Sequence, residues 1–302
     1  MSDAIPTPDV QPREPAREAP LRPLAGFWPL FLWGLRLTCR WPRLLAIGVP
    51  TLALSAWLGA TAVGGGRGRR KDEWLDLFVL FDEGMLAYLL PLVALLTVAS
   101  GLRVEIGRKT MVYHLVRPVS RSTIFVARFA SGLLPATVLG TLALAACCMT
   151  SGLDIPQSVW LSLPVTGFIA ALTVGAGYYL VTTWFRGGMI VALVYTFVFE
   201  PLFSGTRGAM QKLSLMFHVR GVHHGLTDEA FAERSDGVKR ALNPTIDFSN
   251  VDIRSPNFFQ ELQERLAYDE PWQAFTTCLI IAGALLVFGA WQFSRRDFPL
   301  KD

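Results

Sequence analysis

The sequence is poor in charged residues. Only 17% of its 302 residues are charged, whereas 52% are hydrophobic and the mean hydropathy is +0.38. A typical soluble domain carries about 25% charged residues. This composition therefore excludes an ordinary soluble enzyme and indicates an integral membrane protein.

Cysteine and nucleotide-binding motifs are also scarce. The chain has four cysteines, in or beside apolar segments and without CxxC spacing, so neither a zinc knuckle nor a thioredoxin-like site is predicted. The glycine run GGGRGRR at 64–70 is not a phosphate loop, and GxxxxGK[ST] occurs nowhere in the sequence. The sequence therefore predicts no ATP-binding site, cofactor or metal on this chain.

A pI near 9.0 raises the question of nucleic acid binding. The basic residues stand in clusters beside apolar runs, where membrane topology accounts for them. We therefore expect the protein to interact with the lipid bilayer and not to bind nucleic acid.

Long apolar runs dominate what the sequence does contain. As helices, these runs are about long enough to cross a hydrocarbon core of roughly 30 Å. We predict an all-α polytopic bundle of about six spans, at 44–63, 85–102, 124–149, 160–185, 188–203 and 273–293. Small residues recur every four positions in the third and fourth spans, which is typical of close helix packing.

The segments before the second span have mixed character. Residues 1–26 are rich in proline and polar residues, which predicts a disordered cytoplasmic tail. Residues 27–43 combine tryptophans with arginines, which fits an amphipathic helix in the headgroup region or a lead-in to the first span. The short apolar run 74–81 is predicted to lie on the outer surface or to extend the second helix.

The segment 204–271 carries charges of both signs and turn residues, which predicts an external region above the bundle. It contains His218, His223 and His224 near Asp228, without a matching second cluster of metal ligands. Surface or interfacial histidines are therefore expected here rather than a metal site. Residues 272–302 are predicted to be the last span and a cytoplasmic tail.

Glu200 is the one carboxylate expected near the outer end of the fifth span. It either lies in the membrane interface or lines the outer mouth of a transport pathway. With about six spans and basic segments at both ends, both termini are predicted to be cytoplasmic in a plasma (inner) membrane.

The loop 103–123 is the most basic short segment between two spans, with Arg103, Arg108, Lys109, Arg117 and Arg121 against a single carboxylate, Glu105. Such a loop belongs on the cytoplasmic side. Proline at 118 pushes the preceding residue out of helical geometry, and Ser120 is a favourable residue to begin the next helix.

The order of residues in this loop resembles the segment after the second span of ABC-2 type transporter permeases. Glu105, Thr110 and the run Pro118-Val119-Ser120-Arg121 carry the resemblance. Two positions depart from the family pattern: Lys109 replaces a glycine, and Ala127-Arg128 replaces a Gly-Lys pair. The match leaves the subfamily open.

The resemblance implies a permease subunit that couples ATP hydrolysis by a separate cytoplasmic ABC ATPase to transport, export being the usual direction. It implies that Glu105, Thr110, Pro118, Ser120 and Arg121 form the coupling helix seated on that ATPase. ATP and magnesium would bind to the partner, and a second permease copy or homologue would complete a dimer.

Two other functions remain open on the residues alone. A membrane-embedded enzyme would use His218, His223, His224, Asp228, Asp247 or Asp252, although their spacing does not predict a converging site. A structural membrane anchor for an external complex is the third hypothesis.

Overall fold

The computed structural model describes residues 26–64, 73–101, 119–185, 187–205, 208–234 and 271–295. All regular structure in these residues is helical, which confirms the predicted all-α bundle. Five of the helices are long and apolar enough to cross a membrane, so the chain is a multi-pass membrane protein.

Eight helices are named here in chain order. They are α1 (Phe27–Thr38), α2 (Trp41–Gly64), α3 (Glu73–Ala99), α4 (Arg121–Thr150), α5 (Gln157–Trp184), α6 (Gly188–Phe203), α7 (Leu215–Arg234) and α8 (Pro271–Arg295). The helices α3 and α6 contain wide π-helical turns, at Leu80–Leu89, Leu95–Ala99 and Tyr195–Phe199. A short 3-10 turn, Gly208–Leu213, precedes α7.

The predicted spans correspond to helices, with shifted boundaries. The short run 74–81 is the beginning of α3, so the hypothesis that it extends the second helix is the correct one. The helix α6 is shorter than the five full spans. The helix α1 ends before a break at Cys39 and Arg40, after which α2 begins.

The two ends of the bundle can be told apart by their contacts. At one end, called the Arg121 end, the first residue of α4 lies beside Ser294 near the end of α8. At the other, called the Asp154 end, Asp154 lies between α4 and α5 and faces Arg234, the last residue of α7, at 3.9 Å.

Small residues allow α3, α4 and α5 to pack closely. A Cβ atom at Gly132 of α4 would lie 2.8 Å from the Cα of Val98 in α3. A Cβ at Gly167 of α5 would lie 3.2 Å from the backbone nitrogen of Thr141 in α4. The stripes of small residues in the third and fourth spans therefore pack helix against helix, as predicted.

The segment predicted to lie above the bundle contributes a helix within it. The helix α7 contacts α5 and α8, and also α3, and its Leu215 side chain reaches Gly177 in the second half of α5. Its buried residues follow helical spacing and include Met216, Val219, Val222 and Phe231. This apolar face explains why α7 packs among the other helices rather than lying on top of them.

Candidate functional site

Only two of the five predicted coupling residues lie among the residues that the structure describes. Glu105, Thr110 and Pro118 lie outside the residues that the structure describes, whereas Ser120 and Arg121 lie at the start of α4. The hydroxyl oxygen of Ser120 accepts a hydrogen bond from the backbone N–H of Thr123 at 3.2 Å. The prediction that Ser120 caps this helix is thus confirmed.

Two further contacts connect the start of α4 to neighbouring elements. The guanidinium of Arg121 donates to the backbone carbonyl of Ser294, near the end of α8, at 3.5 Å. Val119 lies against Gly26, where an added Cβ would be 2.6 Å from its side chain. The residues that lead into α4 therefore contact both the beginning of α1 and the end of α8.

The helix α1 is held to α4 by a second set of contacts. The guanidinium of Arg128 in α4 stacks over the ring of Trp33, 4.2 Å from its centroid. A Cβ at Gly34 would overlap the hydroxyl oxygen of Ser131, so the two helices are closely packed there. A displacement of α4 at the Arg121 end would therefore involve α1 as well.

Glu200 is buried within the bundle rather than exposed at its surface, with only 3% of its area accessible. Its Oε1 atom accepts hydrogen bonds from the backbone N–H of Met216, at 2.8 Å, and from the hydroxyl of Ser214. Ser214 in turn accepts from the backbone N–H of Phe217 at 2.9 Å.

This arrangement supplies partners for the N–H groups at the start of α7. Those groups have no partner within the helix, and a carboxylate there also interacts favourably with the helix dipole. Glu200 therefore joins α6 to α7. The hypothesis that it lines a transport pathway stays a prediction.

Four charged or titratable side chains meet where α7 crosses α3. His224 places Nδ1 at 2.8 Å from Asp228 in its own helix, and Nε2 at 3.1 Å from Asp82 of α3. Arg220, one turn earlier in α7, places its Nε 3.3 Å from the same Asp82 oxygen. Two carboxylates thus face one guanidinium and one imidazole.

The surroundings give the two adjacent histidines opposite protonation behaviour. For His224, burial disfavours the charged form, but the hydrogen bonds and charges of Asp228 and Asp82 outweigh it and raise its pKa to about 9. For His223, burial and the neighbouring His224 charge lower the pKa to about 3. The first is therefore an imidazolium at neutral pH and the second a neutral ring.

His223 has the contacts expected of a neutral ring. It stacks on Phe81 of α3, with ring centroids 5.5 Å apart and an interplanar angle of 3°. Its Nδ1 lies 3.2 Å from the hydroxyl of Thr166 in α5. His223 thus connects α7 to both α3 and α5.

The three histidines do not converge on a single reactive centre. His218 directs its Nε2 to the carbonyl of Lys212 at 2.9 Å, away from the other two. All three are buried, in contrast to the surface or interfacial position predicted for them. Among the described residues there is no group of three ligands that could hold a metal ion.

Because both ring nitrogens of His224 contact carboxylates, this imidazole has no free nitrogen to offer a substrate. Asp247 and Asp252, also considered for an enzyme site, lie outside the described residues. The arrangement is suited to holding α7 against α3 by charge.

Sequence reasoning missed the role of Asp82. Nothing in the sequence around Asp82 indicates a partner 142 positions away, in α7. A usable signal was present in α7, where Arg220, His224 and Asp228 recur every four residues and therefore share one helix face.

Comparison with known proteins gave no relatives: no protein family, no curated protein and no solved structure matches this chain.

Proposed function

We propose that this protein is the membrane subunit of an ABC-2 type transporter. It couples ATP hydrolysis by a separate cytoplasmic ATPase to export across the inner membrane. The observation that carries the proposal is the ordered run Glu105, Thr110, Pro118, Ser120, Arg121, placed between two membrane helices.

The contacts of α4 support a coupling role for this segment. Ser120 caps a helix of 30 residues, which extends over about 45 Å and crosses the whole bundle. A force on the segment before Ser120 would act directly on the end of this helix. Through Val119 and Arg121 it would also act on α1 and α8.

Transport in this proposal takes place at the interface of two permease copies, or of the permease and a homologue. Closure of the ATPase, loaded with ATP and magnesium, would move α4 and change which side of the membrane the pathway faces. Glu200 would be a residue of the pathway or, through its contacts to Ser214 and Met216, of the region that rearranges.

An enzyme that uses His224 would need a ring nitrogen free to act on a substrate. Both nitrogens contact carboxylates, so a reactive site at this residue gains no support. An anchor without transport function would not need the ordered motif in the central loop.

The experiment is affinity purification of the full chain from its native cells, followed by measurement of ATP hydrolysis. A subunit with a phosphate-binding loop should copurify in stoichiometric amount. Glu105→Ala and Arg121→Ala should each reduce ATP hydrolysis or retention of this subunit, because both lie in the proposed contact with it.

Arg234→Gln is the matched control, since it removes one exposed arginine at the Asp154 end. It should retain the ATPase. The proposal is wrong if a monodisperse, folded preparation never contains an ATPase, or if the two loop variants behave like the control.

A further inference from the structure

A cavity of about 400 Å³ opens between α5 and α8 at the Arg121 end of the bundle. This volume falls within the range of roughly 300–1,000 Å³ that is usual for small-molecule sites. The residues that line it combine apolar and polar groups, namely Leu180, Thr183, Trp184, Gln292, Phe293 and Arg295.

Packing beside the cavity is tight and holds its apolar wall in place. At Gly289 of α8 an added Cβ would lie 2.6 Å from the Phe125 ring and 3.3 Å from Leu180. The ring centroids of Phe293 and Phe125 are 5.6 Å apart. The cavity therefore adjoins a region in which α4, α5 and α8 are firmly packed.

The residues around the cavity are of the kinds that occur at the level of the lipid headgroups. Trp184 and Arg295 are the last residues of α5 and α8, two of the five membrane helices. The Arg295 guanidinium stacks over Trp291, 4.3 Å from the ring centroid. Tryptophan and arginine at the ends of spans are typical of the membrane interface.

The polar side of the cavity is suited to an anion. Arg295 supplies a positive charge, and the side-chain amide of Gln292 supplies hydrogen-bond donors. Among the described residues, none of the ion pairs involves Arg295.

From these observations we propose that the cavity binds the phosphate headgroup of an anionic phospholipid. The acyl chains would lie along α8, which exposes Ile280 by 70%, Val287 by 71% and Phe288 by 39%. Basic pockets between membrane helices are suited to such headgroups, because charge and burial of the chains act together.

A membrane lipid accounts for the site better than a soluble phosphate does. The cavity has an apolar wall formed by Leu180 and Phe293, and the exposed apolar face of α8 continues from it. A soluble phosphate would use only the polar half. The inference is independent of the proposed transporter function, because no ATPase takes part in it.

The test measures thermal unfolding of the purified full chain in detergent with increasing amounts of added lipid. Phosphatidylglycerol should raise the midpoint of unfolding, and phosphatidylcholine should have little effect. In Arg295→Gln the phosphatidylglycerol concentration for half-maximal stabilisation should rise about fivefold, as expected for loss of one cation near a membrane surface. Arg295→Lys should stay close to the wild type.

Arg234→Gln is the control for a change of one exposed positive charge elsewhere, and its lipid dependence should equal that of the wild type. Gln292→Trp, which fills the cavity, should abolish the effect of phosphatidylglycerol while the chain elutes as a single species. Should Gln292→Trp fail to fold, Arg295→Gln still decides the question.

Three results would overturn the proposal. The first is equal stabilisation by phosphatidylcholine, which would show that charge is not recognised. The second is an unchanged phosphatidylglycerol dependence in Arg295→Gln. The third is an equal effect of glycerol 1-phosphate, which would assign the cavity to a soluble phosphate compound instead.

Discussion

The imidazole Nε2 of His224 lies 3.1 Å from a carboxylate oxygen of Asp82, across the contact between α7 and α3. The other ring nitrogen contacts Asp228, so the imidazolium is held between two carboxylates. This contact connects a helix from the segment 204–271 to the second membrane helix.

Removal of one partner should destabilise the bundle strongly. His224→Ala leaves Asp82 and Asp228 with less positive charge, and Asp82→Ala leaves Arg220 and His224 without their shared carboxylate. Breaking a buried ion pair in this way costs about 3–5 kcal/mol. Thermal unfolding in detergent should show a clear loss in both single variants.

The double variant His224→Ala with Asp82→Ala is the informative comparison, because it removes both partners of this contact together. It should lose less stability than the sum of the two single variants. Additive losses would mean that the two side chains do not interact as the geometry indicates.

Stability should depend on pH with a maximum near pH 6.5. The pKa of His224 is raised to about 9 from an unfolded value of about 6.5. Its contribution is therefore fully present below pH 6.5 and is lost as the pH rises through about 9. The loss approaches about 1.4 kcal/mol per pH unit.

His223 has the opposite effect on the acid side. Its pKa is lowered to about 3, so the unfolded chain binds a proton between that value and pH 6.5 while the folded chain does not. Stability therefore falls as the pH decreases from 6.5.

The variant His224→Gln separates the two effects. In this variant the loss of stability above pH 6.5 should disappear, while the loss below pH 6.5 stays. An unchanged alkaline limb would contradict the assignment.

Much of the fold could be predicted from the sequence because the bilayer imposes a simple requirement. A helix must present about 20 apolar residues to cross it, and these runs are local features of the chain. The same reasoning identified Ser120 as a helix cap, since capping depends on neighbours three residues apart.

The position of α7 and the partners of Glu200 and His224 could not be predicted in this way. Each depends on residues distant in sequence that come together only after the helices pack. Glu200 looked like an interfacial carboxylate because the local pattern does not show that Ser214 and Met216 fold back onto it. The histidines looked exposed because α7 is too polar to be recognised as a buried helix.

Replacement of Glu200 should weaken the start of α7. In Glu200→Ala the backbone N–H of Met216 and the hydroxyl of Ser214 lose their acceptor, and an unsatisfied buried group costs about 1–3 kcal/mol. Glu200→Gln keeps one carbonyl oxygen and should be affected less. Hydrogen exchange at the amides of Met216 and Phe217 measures the effect, which should be fastest in the alanine variant.

Equal exchange rates in the alanine variant and the wild type would show that Glu200 does not cap α7. The control is Glu83→Ala, which removes an exposed carboxylate from α3. Exchange at Met216 and Phe217 should stay at the wild-type rate in that variant.

The close contact between α4 and α3 predicts a strong difference between two Gly→Ala substitutions. In Gly132→Ala the new Cβ would lie 2.8 Å from the Cα of Val98, so the helices must separate. At Gly283 of α8 an added Cβ meets nothing within 4 Å, and alanine favours the helix by up to about 1 kcal/mol.

Gly132→Ala should therefore lower the midpoint of thermal unfolding or prevent assembly of the bundle, whereas Gly283→Ala should leave the midpoint unchanged or raise it. Similar midpoints for the two variants would mean that α3 and α4 do not approach each other at Gly132.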